Sequence, residues 1–331
     1  MITVIIPNWN GKQFLKTCLH SLRRQTLKDY QVIVVDNGST DGSVSFLIRN
    51  YPEVKLIKFS KNKGFAAAVN QGIKESQGEF VALLNNDVEA DPSWLEELSR
   101  GLKENPEVGF CASKMLDFTN RRIIMEAGDG YTRSGYAFQI GNDRPDIGQY
   151  DSPKKVFGAC AGAAIYRRSM FDKIGFFDED FFAYLEDIDL SFRAQLMGYE
   201  CLYIPSAVVY HVGSASTGSR YNDITVYFSA QNTINTLIKN MPASILCRNI
   251  FRILKLLILL QGHYIIRSKY GRAYFKGLLS AFRQLKPMLR KRKQIQDNKK
   301  ISHKKIEQFL IASEQELLQQ RDKLWRMVSP H

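Results

Sequence analysis

Residues 80–92 read FVALLNNDVEADP. Phe80 to Leu84 form an apolar run of strand length with no turn residue inside it, which predicts a strand buried on both faces. The run stops abruptly at Asn85, Asn86 and Asp87, at the carboxyl end of the strand, where open α/β sheets place their ligands. A lone carboxylate flanked by amides at such a tip suits a hard divalent cation that takes most of its ligands from water and a diphosphate. The same residues also make an ordinary turn, with Asp91, Pro92 and Ser93 opening a helix over Trp94–Glu104.

Working back toward the N-terminus, Ile2 to Ile6 is a β-branched run ended by Pro7, and Lys12 to Arg24 carries Phe14, Leu15, Cys18, Leu19 and Leu22 at helical spacing. Gln31 to Val35 repeats the strand pattern and ends in Asp36, ahead of a second helix through Val44, Leu47 and Ile48. A third strand, Val54 to Phe59, leads through Asn62, Lys63 and Gly64 into a helix over Ala66–Glu75. Four strands alternating with helices predict an α/β fold built on a parallel sheet with right-handed crossovers. A carboxylate at Asp36 can accept hydrogen bonds from a nucleobase imide or a ribose hydroxyl. It can also make an Asx turn, but Ser39, Thr40, Asp41 and Gly42 supply that turn unaided, which favours a ligand role. Gly64 leaves room for a ligand or another backbone, and Asn70 lies further along its helix. The first turn, PNWNGKQF, lacks the GxGxxG of dinucleotide folds, and a Walker loop is absent.

Downstream, residues 128–151 are rich in Gly and Asp and predict irregular strands and a mobile loop. VFGACAGAAI at 156–165 offers small residues for close packing against backbone or substrate. GFFDEDFFAYLEDIDLSFR at 175–193 sets an aromatic wall before Glu186, Asp187 and Asp189 at a helix start, with Asp178, Glu179 and Asp180 just ahead. Capping explains one or two of these acids. The remainder, beside apolar surface, gain proton affinity, as a general base for a sugar hydroxyl requires. His211 sits in VVYHV at 208–212, as a core residue or as a metal or phosphate contact, before a small-residue loop that could fold over a diphosphate.

The net charge of +13 is unevenly spread. Residues 240–331 hold 20 Lys and Arg against 5 Asp and Glu, which leaves 26 against 28 for residues 1–239. A near-neutral body with no recognisable nucleic-acid module argues against a nucleic-acid-binding protein, for which salt-sensitive binding without turnover would be the mark. Five scattered cysteines without a CxxC pair fit reduced thiols in a cytoplasmic compartment. The N-terminus, entering ITVIIP directly, shows no secretion signal.

Taken together, IIPNWNG at 5–11, VVDNGSTDGS at 34–43, NKGFAAAVNQG at 62–72, LLNNDVEADPSWL at 83–95, the 175–193 stretch and YHVGSAS at 210–216 resemble the family 2 inverting glycosyltransferases of GT-A fold, most closely the rhamnosyltransferase-like members. The resemblance implies a mostly parallel sheet flanked by helices. It implies a pyrimidine base on Asp36, with Pro7, Asn8, Gly64, Asn70 and Asn86 around the nucleoside diphosphate sugar. Asp87, with His211, would bind Mg²⁺ or Mn²⁺, and Asp187 would deprotonate the acceptor hydroxyl. The family often has aspartate where this chain has Asn85. The leading donor is dTDP-rhamnose, with UDP-hexose or UDP-HexNAc as the alternative, and the expected acceptor is a lipid-linked glycan.

The division expected is a catalytic domain over 1–239 and a helical, basic, amphipathic membrane-association region over 240–331. Its longest charge-free apolar part, Leu256 to Ile266, is 11 residues, against the roughly 20 a spanning helix needs. This predicts peripheral attachment to an anionic membrane surface, at the cytoplasmic face of the cell membrane. A helical hairpin covering the body is the competing reading. Ser302 to Trp325 predicts a charged amphipathic helix available for self-association into a homo-oligomer.

Overall fold

The computed structural model describes residues 1–213 and 222–328. The small-residue loop expected to fold over a diphosphate begins at 214 and so lies outside the described residues. Strand and helix alternate as β1 (Ile2–Asn8), α1 (Lys12–Arg23), β2 (Tyr30–Asp36), α2 (Ser43–Asn50), β3 (Lys55–Lys58), α3 (Phe65–Lys74) and β4 (Phe80–Leu84). The four strands are parallel, in the order β4-β1-β2-β3. All five residues of β4 are buried, because packed side chains cover both faces of the sheet.

The chain continues through β5 (Val88–Ala90), α4 (Trp94–Glu104), β6 (Val108–Asp117), β7 (Ile123–Glu126), β8 (Asp129–Tyr131), β9 (Ala137–Gln139), β10 (Arg144–Pro145), β11 (Lys154–Val156), β12 (Ala163–Arg167), α5 (Arg168–Ile174), α6 (Glu186–Leu196) and β13 (Glu200–His211). β12 inserts antiparallel between β4 and β6. β13 runs parallel to β6 and pairs antiparallel with β5. The parallel half therefore passes into a mixed half at β12, beside the strand that carries Asp87 on its outgoing loop.

Residues 128–151 are not the mobile loop their composition suggests. β8 and β9 form a hairpin, and Asp129, Tyr131, Phe138 and Ile140 are buried. The anchor is aromatic: the Tyr131 ring stacks on Phe157 with centroids 5.4 Å apart and meets Phe192 edge-on at 5.4 Å. Gly128, at φ +92°, makes the turn into the hairpin.

The C-terminal region is helical: α7 (Asp223–Asn240), α8 (Ala243–Arg248), α9 (Ile250–Gln261), π-type turns over Gly262–Arg267, α10 (Gly271–Arg283), α11 (Leu285–Asn298) and α12 (His303–Val328). The division expected after residue 239 falls at the end of α7. One apolar cluster crosses it, joining Ile188, Phe192 and Leu196 of α6 to Met241, Ile245, Ile306 and Leu310. The apolar stripe of α12 is thereby turned onto the body, where Arg133–Glu314 and Lys154–Glu316 ion pairs flank it. That packing buries Ile306 and Leu310. Among the described residues no helix is long and apolar enough to cross a membrane.

Candidate functional site

Three parallel strands end side by side in polar residues, and their side chains are wired to one another. Asn86, after β4, donates from Nδ2 to Asn8 Oδ1 at 2.7 Å, and Asn8 Nδ2 donates to Asp36 Oδ1 at 2.9 Å. Asp36 is 1% exposed and also accepts the Ser39 amide on Oδ2 at 3.0 Å. It thus makes the Asx turn as well as facing the site, and a carboxylate with about four acceptor positions keeps room for a ligand donor. Pro7, level with Val35 in β2, precedes this row. Gly11 closes beneath it: a Cβ there would lie 2.0 Å from Asn86 Nδ2, so only glycine lets α1 start this close.

Gly64 and Asn70 face elsewhere. A Cβ on Gly64 would come within 2.6 Å of the Phe182 carbonyl, which accepts the Phe65 amide at 2.7 Å. Of the two alternatives for Gly64, ligand or backbone, the structure brings a backbone. Asn70 exchanges two hydrogen bonds with the Phe177 backbone, at 2.9 and 3.0 Å, and donates to Glu179 Oε1 at 3.0 Å. Together they pin the 177–182 segment against α3.

Asp87 and His211 are remote in sequence and adjacent in space. β5 pairs with the end of β13, and His211 Nε2 lies 3.2 Å from Asp87 Oδ1, both side chains largely buried. One carboxylate and one imidazole suit a divalent cation whose other positions are filled by phosphate oxygens and water. Among the described residues no group of three or more such side chains converges, so the protein's donor set fits only a cation shared with a bound anionic ligand.

Asp187 stands in the first turn of α6 and connects back to the Asp87 loop through two adjacent strands. Asn85 N donates to Gly162 O at 2.8 Å, and the neighbouring Ala161 amide donates to Asp187 Oδ2 at 3.3 Å. Ile188 N donates to Asp187 Oδ1 at 2.8 Å. The Cys160 amide, one residue before Ala161, donates to Glu126 Oε1 at 3.3 Å. Consecutive amides of one turn therefore hold two carboxylates together. Asp129 and Glu186 join them, each with one buried oxygen lacking a hydrogen-bond partner among the described residues.

Burial followed by the neighbouring Asp187 charge pushes the Glu126 carboxyl up to about 8. Burial, then Glu126 and Asp187, raises Asp129. For Asp187, burial outweighs the amides that favour its anion, and its carboxyl is held above the usual range. Glu126 and Asp129 give no local signal in the sequence, because an isolated acid in a Gly-rich segment looks like a surface turn.

The other acids of this region are structural. Asp178 pairs with Lys239 at 2.6 Å and with Lys291, and Asp189 with Lys239 at 2.7 Å and Arg193 at 2.9 Å. Burial would raise Asp178 and Asp189, but the cations around each outweigh it and hold both carboxyls below the usual range. The expectation that surplus acids near the aromatic wall share in raised proton affinity is therefore corrected for Asp178, whose charge is neutralised from α7 and α11. The segment between is strained: Phe182, Tyr184 and Leu185 take φ of +61°, +68° and +64°, a region costly for residues with side chains. Asn232 of α7 holds it, donating from Nδ2 to the carbonyls of Phe181, Ala183 and Tyr184 at 3.0, 3.0 and 2.7 Å.

The chain is 27% identical over 243 residues to the N-acetylglucosaminyl-diphospho-decaprenol L-rhamnosyltransferase of Mycobacterium tuberculosis, covering 66% of this chain and 78% of that one. It is 29% identical over 227 residues to the uncharacterized glycosyltransferase YwdF of Bacillus subtilis, covering 67% and 78%. Its fold is similar to that of the mannosyltransferase PcManGT from Pyrobaculum calidifontis, solved with GDP-Man and Mn²⁺, at 18% identity, TM-score 0.53 and coverage of 90% and 85%. It is also similar to TarS 1-349 of S. aureus, at 17% identity, TM-score 0.55 and coverage of 96% and 91%. The Glycosyl transferase family 2 profile matches residues 3–175, more than half of the chain, and the protein belongs to that family.

Proposed function

We propose that this protein is an inverting, metal-dependent transferase that moves a sugar, foremost rhamnose from dTDP-rhamnose, to a hydroxyl of a lipid-linked glycan. UDP-hexose or UDP-HexNAc is the alternative donor. The observation that carries the reading is the row Asn86–Asn8–Asp36 running into the Asp87–His211 pair, with Asp187 at the start of α6 held by the turn before β12, the strand next to the one that leads to Asp87. The row supplies acceptors for a base and ribose. The pair supplies ligands for Mg²⁺ or Mn²⁺, which when bound stabilises charge on the departing diphosphate. Asp187 accepts the acceptor's proton as its oxygen bonds to the anomeric carbon and the carbon–oxygen bond to the diphosphate breaks. A single displacement inverts that carbon.

A donor panel read by nucleoside diphosphate release tests the activity, and no release with any donor sinks it. With the donor that turns over, Asp87→Ala raises the donor Kd about tenfold with Mn²⁺ present and leaves it unchanged in chelator. Equal weakening in chelator would remove the metal from this pair.

Glu126→Gln tests the carboxylate cluster. Glu126 is held uncharged below about pH 8, so the amide removes no charge there and should leave the acid limb of kcat/KM in place. Stability has its own sign. The folded-state carboxyl of Glu126 lies at about 8, above an unfolded value of roughly 4.3. The native state holds a proton the unfolded chain releases, so wild-type stability falls as pH rises through that window. Melts at several pH values should show Glu126→Gln free of this loss, and parallel melts for the two proteins would show that the fold does not hold Glu126 protonated.

We also propose that the protein works peripherally at the anionic, cytoplasmic face of the cell membrane. Phe251, Leu254 and Ile258 form an exposed stripe on α9, and Phe275, Leu279 and Phe282 another on α10, with Arg252, Lys255, Lys276 and Arg283 exposed on the same helices. Because the tail shares a core with the body, surface changes probe this better than truncation. Phe251→Asp with Ile258→Asp should reduce sedimentation with phosphatidylglycerol vesicles about tenfold or more. Unchanged sedimentation would show that attachment lies elsewhere.

A further inference from the structure

α9 is apolar on two opposite sides. Phe251, Leu254 and Ile258 face outward, while Leu256, Leu257 and Leu260 line a cavity of about 170 Å³ on the other side. The remaining walls come from α7, through Ala230 and Thr233 among others, from α10, from the β8–β9 hairpin and from Leu185. None of the lining residues is charged. Leu185 immediately precedes Glu186 and Asp187, and the hairpin carries Asp129, so the two elements that bring the carboxylates together also wall this cavity.

Size separates the candidate occupants. A sugar nucleotide needs a site of roughly 300 Å³ or more with several polar contacts. A dry cavity of about 150 Å³ accepts a molecule the size of benzene, close to one branched isoprene unit. α9 is apolar on the side against protein and on an exposed stripe, with Arg252 and Lys255 between them, a pattern that suits a helix at a membrane surface. The cavity thus lies beside an exposed apolar helix and is walled by the residue just before the carboxylate turn.

We propose that this cavity receives the diphosphate-proximal isoprene of a polyprenyl-linked acceptor, holding the chain while its sugar lies at Asp187. The proposal rests on the transferase reading above and adds a lipid subsite to it.

The test uses the full chain in detergent with its working donor and two acceptors, N-acetylglucosamine diphosphate joined either to farnesyl or to methyl. Wild type should favour the farnesyl acceptor in kcat/KM by about tenfold or more, since each methylene left in water costs about fourfold in affinity. Thr233→Phe fills the cavity and should bring the preference within about twofold while the methyl acceptor keeps its rate; Thr233→Val should retain the preference. An n-alkyl acceptor of equal carbon number that matches farnesyl would overturn the assignment to isoprene, and equal rates for farnesyl and methyl would overturn the subsite itself. A diazirine-bearing farnesyl diphosphate provides a readout that needs neither a folded variant nor turnover. Crosslinks to peptides 229–234 or 256–260 support the subsite, and crosslinks only elsewhere overturn it. Failure of every acceptor with every donor, alongside crosslinks in the cavity, would count against the transferase reading and not against the subsite.

Discussion

Asp187→Asn lowers kcat for transfer about 10²–10⁴-fold and leaves donor affinity within about twofold of wild type. The amide matches the carboxylate in shape but cannot take a proton from an attacking hydroxyl. It keeps one acceptor for the Ile188 or Ala161 amide and turns an NH₂ toward the other, a modest loss. Against that loss stands the removal of a negative charge from beside Glu126, Asp129 and Glu186, each of which Asp187 helps to raise. The variant should therefore melt at a higher temperature than wild type above neutral pH while being nearly inactive. Such a pairing separates a group kept for chemistry from one kept for the fold. Full turnover in the variant would move the base to another carboxylate, with Glu126 first in line.

Lys239→Met has the largest expected effect on stability, about 3 kcal/mol or more. Lys239 is 3% exposed and bridges Asp178 to Asp189. Methionine replaces its stem but leaves two carboxylates short of a cation, with Lys291 still beside Asp178 and Arg193 beside Asp189. Burial also holds the Lys239 ammonium below its usual range, so its removal recovers part of the cost. The pH dependence follows from the carboxylates. Both have folded-state affinities below the unfolded value of roughly 3.9. Their contribution is present above that value and disappears as pH falls through the folded-state range. Urea unfolding at pH 7 should show the full deficit, and the deficit should shrink progressively as pH is lowered below about 4. A deficit independent of pH would mean that packing, not charge, is what Lys239 provides.

The parallel half of the fold was legible because each strand is a short apolar run and each helix keeps its own period. Asp36 and Asp87 stood out as candidates for a related reason: each stands at a strand tip, where local grammar leaves a carboxylate to spare, whereas Asp187 was picked from its acidic neighbours by the family resemblance. The misreadings share one cause, a partner far along the chain. Asp178 looked like a surplus acid beside the aromatic wall because Lys239 and Lys291 lie 61 and 113 residues away. Gly64 and Asn70 left their alternatives open because their neighbours, Phe182 and Phe177, belong to another element. Glu126 and Asp129 went unnoticed because burial, which gives them their chemistry, is decided by aromatic contacts among Tyr131, Phe157 and Phe192 that no periodicity announces.

The grip of Asn232 on the left-handed residues ahead of Asp187 has a consequence for synthesis. Chains leave the ribosome from the N-terminus, and early segments fold while later ones are still being made. The sheet and every group on its edge are complete by residue 211, yet the latch for the 182–185 turn emerges only with α7. A nascent or prematurely terminated chain can thus build the sheet without the latched turn ahead of Asp187, which delays that geometry until α7 has been made.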